Sequence, residues 1–249
     1  MIIWQNPLDL PRLMSDRVHV WRANLDLSGS EIEKFRSLLS EDELVRANKF
    51  RFSKHKNSFI VARGILRRLL GHYLKIEPQN LKFDYSDRGK PLLGETKSQI
   101  SLEFNISHSQ QYAVFGFAYD RALGVDIEYL REMKDAVKIA RRFFSDREFE
   151  LIAGLDVSQQ ARVFFQLWTA KEAYLKAIGV GLTGSLANVE IILDRVGNAS
   201  IVAIDGNNLK AQDWSMYSCV PENNYTAAIA IHTPVAQSQI DFWSWSSNF

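Results

Sequence analysis

Two acidic residues on one predicted strand are the first candidates for chemistry. Asp126 and Glu128 are two residues apart in the stretch 124–129, whose other members are mostly apolar. Alternate side chains of a strand point to the same face, so both carboxylates share a face. Neighbouring carboxylates repel each other unless a cation lies between them, and their hard oxygen atoms suit Mg²⁺ or Mn²⁺ rather than zinc. Spacing alone favours the simpler alternative, the solvated polar face of an edge strand.

A glutamate and a lysine on a predicted helix are the second candidates. Glu172 and Lys176 are four residues apart, so they share a helix face with Trp168. Such a carboxylate can hold a metal ion or accept a proton, and the ammonium can neutralise charge on a leaving phosphate. The alternative is a surface ion pair that contributes about 0.3–0.5 kcal/mol.

Cations without acidic neighbours form the third candidate. The stretch 46–75 contains nine lysines or arginines and no aspartate or glutamate. Its cations include Arg46, Lys49, Arg51, Lys54, Lys56 and Arg63, and Lys90 and His108 follow them. Clustered cations suit phosphate binding. Binding of single-stranded nucleic acid is the competing interpretation, because Phe50, Phe52 and Phe59 alternate with the cations and could stack on bases. The same spacing is typical of the buried stripe of a helix.

Length and composition limit the classes of protein that these residues can serve. The chain has 249 residues, enough for one large domain or two of roughly 100–150 residues. With 46% hydrophobic residues and a net charge of +1, it is neither disordered nor a general binder of nucleic acid or anionic membranes. It has no run of about 18 apolar residues, so we expect no membrane-spanning helix. Residues 1–13 lack a basic start followed by an apolar core, so we expect no signal peptide. A single cysteine, Cys219, fits a reducing cytosol, and a cysteine-poor secreted protein would look the same. We expect a cytoplasmic protein.

Several helices must position the candidates. Apolar periodicity predicts helices over 30–39, 40–49, 57–75, 135–144, 146–155 and 159–178. Capping-box spacing begins the first two, at Ser30 with Glu33 and at Ser40 with Glu43. Gly179 ends the last helix, as glycine commonly does.

Strands follow each long helix. Alternation and apolar runs predict strands over 18–25, 81–85, 102–106, 112–118, 124–129, 189–193, 199–204, 214–220 and 225–231. The chain ends in a tail with two tryptophans, Trp243 and Trp245. We expect this tail to pack on the protein, because exposed tryptophans would be costly.

The order of predicted elements is similar in the two halves of the chain. The helix stretch 62–67 is echoed by 170–176, and the strand 112–118 is echoed by 225–231, at offsets of 108 and 113 residues. Duplication of one ancestral unit and chance both account for this order. A boundary near 120–123 would divide the chain about equally.

Taken together and in order, these residues resemble the Sfp-type 4′-phosphopantetheinyl transferases. The matching blocks are Gly89-Lys90-Pro91, Asn105-Ile106-Ser107-His108-Ser109, Gly124-Val125-Asp126-Ile127-Glu128, Phe143-Phe144-Ser145 with Glu148, and Trp168-Thr169-Ala170-Lys171-Glu172-Ala173 with Lys176, besides the helix that bears Arg63. The resemblance runs from about residue 46 to residue 181. The stretches 83–85 and 126–130 look most like cyanobacterial members, which serve fatty-acid, glycolipid or polyketide carrier proteins.

This resemblance implies both a fold and a reaction. The fold class is α+β, a pseudo-dimer of two similar halves, 1–122 and 123–249, each with a long helix packed on a mostly antiparallel sheet. The first half would face the adenine and 3′-phosphate of coenzyme A, the second would carry the metal and the catalytic residues, and the ligand would lie between them. The reaction moves 4′-phosphopantetheine from coenzyme A to a serine of an acyl or peptidyl carrier protein and releases adenosine 3′,5′-bisphosphate.

The resemblance also assigns roles to residues of this chain. Asp126, Glu128 and Glu172 would hold Mg²⁺, or Mn²⁺, against the pyrophosphate. Glu172 would deprotonate the serine, directly or through a water, and Lys176 would neutralise the pyrophosphate and assist the leaving group. Contacts to the adenine and 3′-phosphate end are assigned to Lys90, Ser107 and His108, with Arg46 and Arg63 adding positive charge. Some members carry a lysine for the 3′-phosphate where this chain has Glu43.

Carrier proteins of fatty-acid, polyketide, glycolipid or peptide synthases are the implied partners. They are acidic helical bundles, so cations near the cleft should meet them. The candidate surface is the segment 130–144, with Lys134, Lys138, Arg141 and Arg142. A solvated amphipathic helix is the alternative for this segment. A monomer would suffice, because both halves lie in one chain.

Two other functions compete with the transferase. A module that binds RNA or single-stranded DNA through the basic stretch would leave the paired acids and the Glu172–Lys176 helix unexplained. A non-catalytic family member would bind coenzyme A only, and the intact acids argue against it. We therefore predict an enzyme without a nucleic-acid or membrane partner.

Overall fold

The computed structural model of the protein describes residues 2–86, 89–94, 101–181, 185–247 and 249. The helices are α1 (Gly29–Arg36), α2 (Glu41–Asn48), α3 (Ser53–Leu74), α4 (Ala136–Phe143), α5 (Asp146–Ala153), α6 (Val157–Ala177) and α7 (Asn208–Ala211). The strands are β1 (Val18–Asn24), β2 (Phe83–Tyr85), β3 (Pro91–Leu93), β4 (Leu102–Ser109), β5 (Tyr112–Tyr119), β6 (Leu123–Tyr129), β7 (Val189–Leu193), β8 (Ala199–Ile204), β9 (Trp214–Cys219), β10 (Tyr225–His232) and β11 (Ile240–Ser244). Short 3₁₀ helices include Pro78–Asn80 and Leu186–Asn188. None of the helices in these ranges is both long and apolar enough to cross a membrane.

The two halves repeat one order of elements and one pairing of strands. In the first half, β1 is followed by α1, α2, the long α3, a 3₁₀ helix and β2 to β5. In the second half, β6 is followed by α4, α5, the long α6, a 3₁₀ helix and β7 to β10, with α7 inserted before β9. The sheets have the matching orders β1-β5-β4 and β6-β10-β9, with antiparallel neighbours. The predicted α+β pseudo-dimer is therefore confirmed, whereas the boundary at residue 122 stays a prediction.

The two sheets pack face to face between the two long helices. Side chains of β1 alternate, so that Trp21 points into a core with α3 while Val20 points into a core shared with the second sheet. The second sheet alternates in the same way, with Val125 in the shared core and Ala230 against α6. Strand alternation thus produces a helix–sheet–sheet–helix stack.

A buried ion pair ties together three elements of the first half. Glu43, in the predicted capping box at the start of α2, accepts hydrogen bonds from the Ser40 N–H at 3.0 Å and from Arg67 Nε of α3 at 2.6 Å. The Arg67 Nη1 atom donates to the carbonyl oxygens of Pro78 and Leu81 at 2.7 and 3.1 Å. The short helix, the long helix and the turn after it are therefore held by one charge pair.

The second half repeats this device. Glu148, in the capping box of α5, accepts hydrogen bonds from the Ser145 N–H at 2.8 Å and pairs with Lys171 Nζ of α6 at 2.6 Å. Lys171 Nζ also donates to the carbonyl oxygen of Leu186 at 2.8 Å and to that of Val189. Lys171 and Glu148, which belong to the blocks that carry the family resemblance, are thus structural residues.

This shared device sets the correspondence between the long helices. Arg67 and Lys171 are counterparts, because each pairs with the capping glutamate and bonds the carbonyls of the following turn. The echo found in the sequence instead aligned Ala62 with Ala170, and that alignment is wrong by one helical turn. Repeated small residues matched by chance, whereas the buried charges identify the equivalent positions.

The first short helix begins earlier than predicted. The Ser28 N–H donates to Glu31 Oε2 at 3.1 Å, and the Glu31 N–H donates to Ser28 Oγ at 3.4 Å, which completes a capping box. The predicted box of Ser30 with Glu33 is therefore wrong. Local spacing fits both pairs, and only the path of the chain around the core selects between them.

Other boundaries differ by a few residues, and one difference affects the site. Helix α3 begins at Ser53 rather than at residue 57. Strand β4 continues to Ser109, so Ser107 and His108 lie within the strand rather than in a connection after residue 106. Their side chains therefore point to opposite faces.

The C-terminal strand joins the first sheet. Strand β11 runs parallel to β1, with Trp243 opposite Trp21, and the ring centres of Trp243 and Trp245 lie 6.0 and 6.3 Å from that of Trp21. Asp241 of β11 accepts a hydrogen bond from Arg17 Nε at 2.8 Å. The prediction that the tail packs on the protein is confirmed. Strands β1 and β6 are equivalent in the internal repeat. Strand β11 lies beside β1, and β4 lies in the equivalent position beside β6.

Replacing Lys171 with methionine should lower the free energy of unfolding by about 3–5 kcal/mol, because the buried Glu148 carboxylate would lose its cation. Urea denaturation followed by circular dichroism measures the change. The matched control is Arg147→Ala, which removes an exposed ion pair with Glu190 and should cost at most about 1 kcal/mol. Equal losses in the two variants would contradict the structural role of Lys171.

Candidate active site

Strands β4 and β6 lie side by side, and side chains join them. Asn105 Oδ1 accepts a hydrogen bond from the Val125 N–H at 3.0 Å, and Ser109 Oγ accepts one from the Tyr129 N–H at 3.1 Å. Alternate residues of β4 share a face, so Ser107 also faces β6. This seam joins the two halves, and the site is built along it. The sequence interpretation assigned no role to Asn105 or Ser109, although strand alternation could have grouped them with Ser107.

Helix α6 lies directly on β6. A Cβ atom on Gly124 would lie 2.1 Å from the Ala173 carbonyl oxygen and 2.4 Å from the Ala177 nitrogen. Only glycine permits this approach, because the obstructing atoms belong to the helix backbone and cannot turn aside. The approach brings Glu172 and Lys176 over the strand that carries the two predicted carboxylates.

Lys176 forms a hydrogen-bonded triangle with Asp126 and Ser107, here called the Lys176 triangle. Lys176 Nζ donates to Asp126 Oδ1 at 2.6 Å and to Ser107 Oγ at 2.8 Å. Ser107 Oγ in turn donates to Asp126 Oδ1 at 2.8 Å. Asp126 is only 5% exposed, and a buried carboxylate needs such charged and polar partners. Three predicted site residues are therefore brought together.

Glu172 forms no ion pair with the residues that the structure describes. It is 7% exposed, and burial together with the Asp126 carboxylate raises its pKa to about 7, although Lys176 opposes the rise. Burial and Asp126 also raise the pKa of Glu128, which accepts a hydrogen bond from Ser109 Oγ at 3.0 Å. The site thus holds one compensated carboxylate and two whose ionised forms are disfavoured.

Two buried oxygen atoms of these carboxylates, Asp126 Oδ2 and Glu172 Oε1, have no hydrogen-bond partner within the described ranges. An unsatisfied buried acceptor costs about 1–3 kcal/mol, so positive charge would be stabilised here. Hard divalent cations prefer such oxygen donors. Among the described residues, no three Asp, Glu, His or Cys side chains are already gathered to hold a metal ion. The donor set of Asp126, Glu128 and Glu172 fits Mg²⁺ by its chemistry.

Lys90 extends from the first half to the end of α6. Its Nζ donates to the Lys176 carbonyl oxygen at 2.9 Å. Burial lowers the pKa of the Lys90 ammonium, and Glu103 opposes the shift. Lys90, Lys176 and Gly179 line a cavity of about 230 Å³. This cavity lies at the seam of the two halves, where a ligand cleft is predicted.

Three of the predicted coenzyme A contacts are not hydrogen-bonded to the Lys176 triangle. His108 lies on the face of β4 opposite to Ser107, and desolvation by the surrounding protein together with the Lys176 ammonium lowers its pKa. Arg46 is exposed at the end of α2, and Arg63 is buried in α3. In the described part of the chain, no hydrogen bond or ion pair joins these three residues to the triangle.

Arg63 is held by the same carboxylate that pairs with Arg67. Its Nε lies 3.1 Å from Glu43 Oε1, while its buried Nη1 has no hydrogen-bond partner among the described residues. Burial lowers the pKa of Arg63, and Glu43 opposes the shift. The guanidinium groups of Arg63 and Arg46 both lie 5.9 Å from the ring centre of Tyr85. Glu43, which departs from the family pattern, thus compensates buried arginines.

Comparisons with known protein families agree along most of the chain. Residues 122–230 match the model of the 4′-phosphopantetheinyl transferase superfamily. Residues 24–118 match the model described as 4′-phosphopantetheinyl transferase, N-terminal. One match falls on each of the two repeated sets of elements.

Individual relatives carry the same description. The chain is 44% identical over 219 residues to 4′-phosphopantetheinyl transferase HetI of Nostoc sp., with 88% of this chain and 89% of the relative covered. It is 26% identical over 182 residues to 4′-phosphopantetheinyl transferase Sfp of Bacillus subtilis, with 73% and 79% covered. Among solved structures, a holo-(acyl-carrier-protein) synthase from Bacillus anthracis in complex with CoA (3′,5′-ADP) matches 45% of this chain and 96% of its own, with 22% identity and a TM-score of 0.37. The resemblance to Sfp-type and cyanobacterial members is confirmed by the first two relatives.

Replacing Glu172 with glutamine should stabilise the protein at pH 8 by about 1–3 kcal/mol and much less at pH 5. The folded-state pKa is raised from 4.5 to about 7, so the folded state holds a proton that the unfolded state loses between these values. Stability is therefore lost as the pH rises through this window, and a neutral amide avoids the loss.

Urea denaturation of both proteins at pH 5 and pH 8 measures this difference. The exposed Glu150→Gln variant is the matched control, and it should follow the wild type at both pH values. If the Glu172→Gln and wild-type curves ran parallel with pH, Glu172 would not have the raised pKa.

Proposed function

Because the chain belongs to the 4′-phosphopantetheinyl transferase family, we propose that it transfers 4′-phosphopantetheine from coenzyme A to a serine of an apo carrier protein. The serine oxygen bonds to the phosphorus that carries the pantetheine arm. The bond from that phosphorus to the bridging oxygen breaks, and adenosine 3′,5′-bisphosphate leaves with the bridging oxygen. The observation that carries this proposal is the placement of a carboxyl with a raised pKa, Glu172, and an ammonium, Lys176, on one face of α6.

Glu172 is the proposed acceptor of the serine proton. A pKa of about 7 leaves a substantial fraction of the carboxylate ionised at neutral pH, and a base with this pKa can also retain the proton that it takes. Its Oε1 atom has no hydrogen-bond partner among the described residues, so no existing bond must break first.

Lys176 is proposed to neutralise the pyrophosphate as charge develops on the leaving group. Its ammonium is already oriented by Ser107 and Asp126, so little reorganisation would accompany the reaction. Lys90 lines the same cavity and would add a second ammonium. Two cations on one pyrophosphate suit a reaction whose catalysis is mainly alignment and charge stabilisation.

Asp126, Glu128 and Glu172 are proposed to hold Mg²⁺, with Mn²⁺ as the alternative. The unpaired oxygen atoms of Asp126 and Glu172 and the raised pKa of Glu128 support this assignment, because a cation would relieve all three. When bound, such an ion neutralises charge on the pyrophosphate and orients it for attack.

The adenine and 3′-phosphate end of coenzyme A is proposed to lie against Lys90, Ser107, His108, Arg46 and Arg63. Arg46 and His108 are exposed, and the Nη1 atom of Arg63 has no partner among the described residues. Guanidinium groups bind phosphate oxygens through paired N–H donors, so these side chains suit a phosphate monoester.

The exposed face of α4 is proposed to bind the acidic carrier protein. Lys134 precedes this helix and Lys138, Arg141 and Arg142 lie on it, and all four are exposed. The opposite face packs into the second core through Ala136 and Ala140. A cationic face in the same half as the site would attract and orient an acidic partner. A monomeric state and a cytosolic location stay predictions.

The transfer itself is tested by incubating the protein with coenzyme A, Mg²⁺ and an apo acyl carrier protein, and weighing the carrier by mass spectrometry. We expect a mass gain of one phosphopantetheine group that chelation of Mg²⁺ abolishes. Absence of a mass gain on several carrier proteins would refute the proposal.

The catalytic roles are tested in the same assay. Glu172→Gln and Asp126→Ala should each lower kcat/KM by about 10²–10⁴-fold, because a positioned base and a positioned charge are lost. Glu150→Gln is the matched control and should retain wild-type activity. Circular dichroism establishes that each variant is folded, and wild-type turnover in both site variants would disprove the assigned roles.

The docking surface makes a separate prediction. The double substitution Lys138→Glu and Arg142→Glu should raise KM for the carrier protein about tenfold at low salt, with kcat nearly unchanged, because steering charge is reversed. Lys34→Glu on α1 of the first half is the matched control. An effect on kcat alone, or an equal effect in the control, would assign the carrier to another surface.

A further inference from the structure

A second cavity lies at the end of the first long helix. Its volume is about 620 Å³, larger than the cavity at Lys90 and within the usual range for small-molecule sites of about 300–1,000 Å³. The chain segment before β1 forms one wall, and the end of α3 with the end of β5 forms the other. The side chains that matter here are Arg12, Met14, His72, Tyr73, Lys75 and Tyr119.

The charge of this cavity is one-sided. Arg12, His72 and Lys75 are exposed, and no aspartate or glutamate among the described residues lines the cavity. No described carboxylate forms an ion pair with any of the three. The His72 Nε2 atom lies 3.2 Å from the Pro11 carbonyl oxygen, which holds the N-terminal wall against α3. Three cations in the lining favour an anionic ligand, and the carboxylate that acts on Tyr73, Asp241, lies outside the lining.

The apolar part of the lining also has a consequence. Leu13 and Met14 belong to the segment before β1; Leu13 is buried and Met14 is 51% exposed. The rings of Tyr73 and Tyr119 line the same cavity. Such a surface covers a hydrocarbon or aromatic body while the cations bind its charged end. An inorganic anion alone would leave this surface wet.

The internal repeat relates this cavity to the one at the candidate active site. Since Arg67 corresponds to Lys171, His72 corresponds to Lys176, and each of the two cavities lies at the end of a long helix. The carboxylates do not recur. Trp21 of β1 lies opposite Phe115 of β5, and Asp126 of β6 lies opposite Ala228 of β10. These two pairs are equivalent in the repeat, so the first half has a tryptophan at the position of Asp126. The copy keeps cations and lacks the acids needed for transfer.

We propose that the cavity at Arg12, His72 and Lys75 binds an organic phosphate, a phosphate monoester on an apolar or aromatic body, without reacting with it. The guanidinium of Arg12 and the ammonium of Lys75 supply the charge for a dianion. The neighbouring rings and Met14 supply the surface for its body. This site is separate from the proposed transferase site and does not depend on that assignment.

Adenosine 5′-phosphate is the probe for this proposal. Equilibrium dialysis of the labelled nucleotide should be compared for the wild type, the double variant Arg12→Ala/Lys75→Ala, the transferase-site variant Lys176→Ala and the control Lys34→Ala. We expect binding to the wild type and the control, and an affinity at least about tenfold weaker in the double variant, since two charge-assisted contacts are removed. Transfer of phosphopantetheine to the carrier should be unchanged in the double variant.

Other outcomes would overturn the proposal. A wild-type protein that binds no adenosine 5′-phosphate at millimolar concentration, or a double variant with wild-type affinity, would show that the cavity is not a phosphate site. Binding that is weakened by Lys176→Ala and not by the double substitution would assign the nucleotide to the transferase site instead. Competition by inorganic phosphate as strong as by the nucleotide would remove the role of the apolar wall.

Discussion

The direct contact of α6 with β6 at Gly124 is the constraint on which the site depends. Because position 124 has no Cβ atom, the helix backbone reaches the strand, and Glu172 and Lys176 then project onto the face that carries Asp126. The buried ion pair of Lys171 with α5 holds the same helix from another side. Helix α6 is therefore positioned both by packing on β6 and by a buried ion pair. The neighbouring strand β4 supplies the remaining polar partners, Ser107 and Ser109.

Charge compensation distinguishes the site from the rest of the interior. The buried acids of the described chain are Glu43, Asp126, Glu148 and Glu172. The first three each pair with an arginine or lysine, whereas Glu172 pairs with none among the described residues. An uncompensated buried carboxyl is destabilising, and such groups concentrate where chemistry is performed. The near-zero net charge of the whole chain conceals this local imbalance, because it sums opposed fields that act separately.

The internal repeat gives one frame two different surroundings. In both halves a capping glutamate pairs with a basic residue of the long helix, which also bonds the carbonyls of the next turn. This buried device stabilises each half and does not involve the residues of the surrounding surface. One copy carries acids and meets β4. The other carries Trp21 and is flanked by β11, the strand that the tail contributes. Divergence could therefore proceed in one copy without loss of its fold.

Features that depend on spacing along the chain are predictable from the residues alone. This spacing placed Asp126 with Glu128 on one face, Glu172 with Lys176 on one turn, and the Ser40–Glu43 capping box. The sequence did not identify the capping box of α1, because Ser28 with Glu31 and Ser30 with Glu33 have the same spacing. The packing of α6 on β6 and β4 adds that Lys176 compensates Asp126 and that Glu172 is left with a raised pKa. These outcomes depend on distances between elements far apart in the chain, and no local pattern encodes such distances.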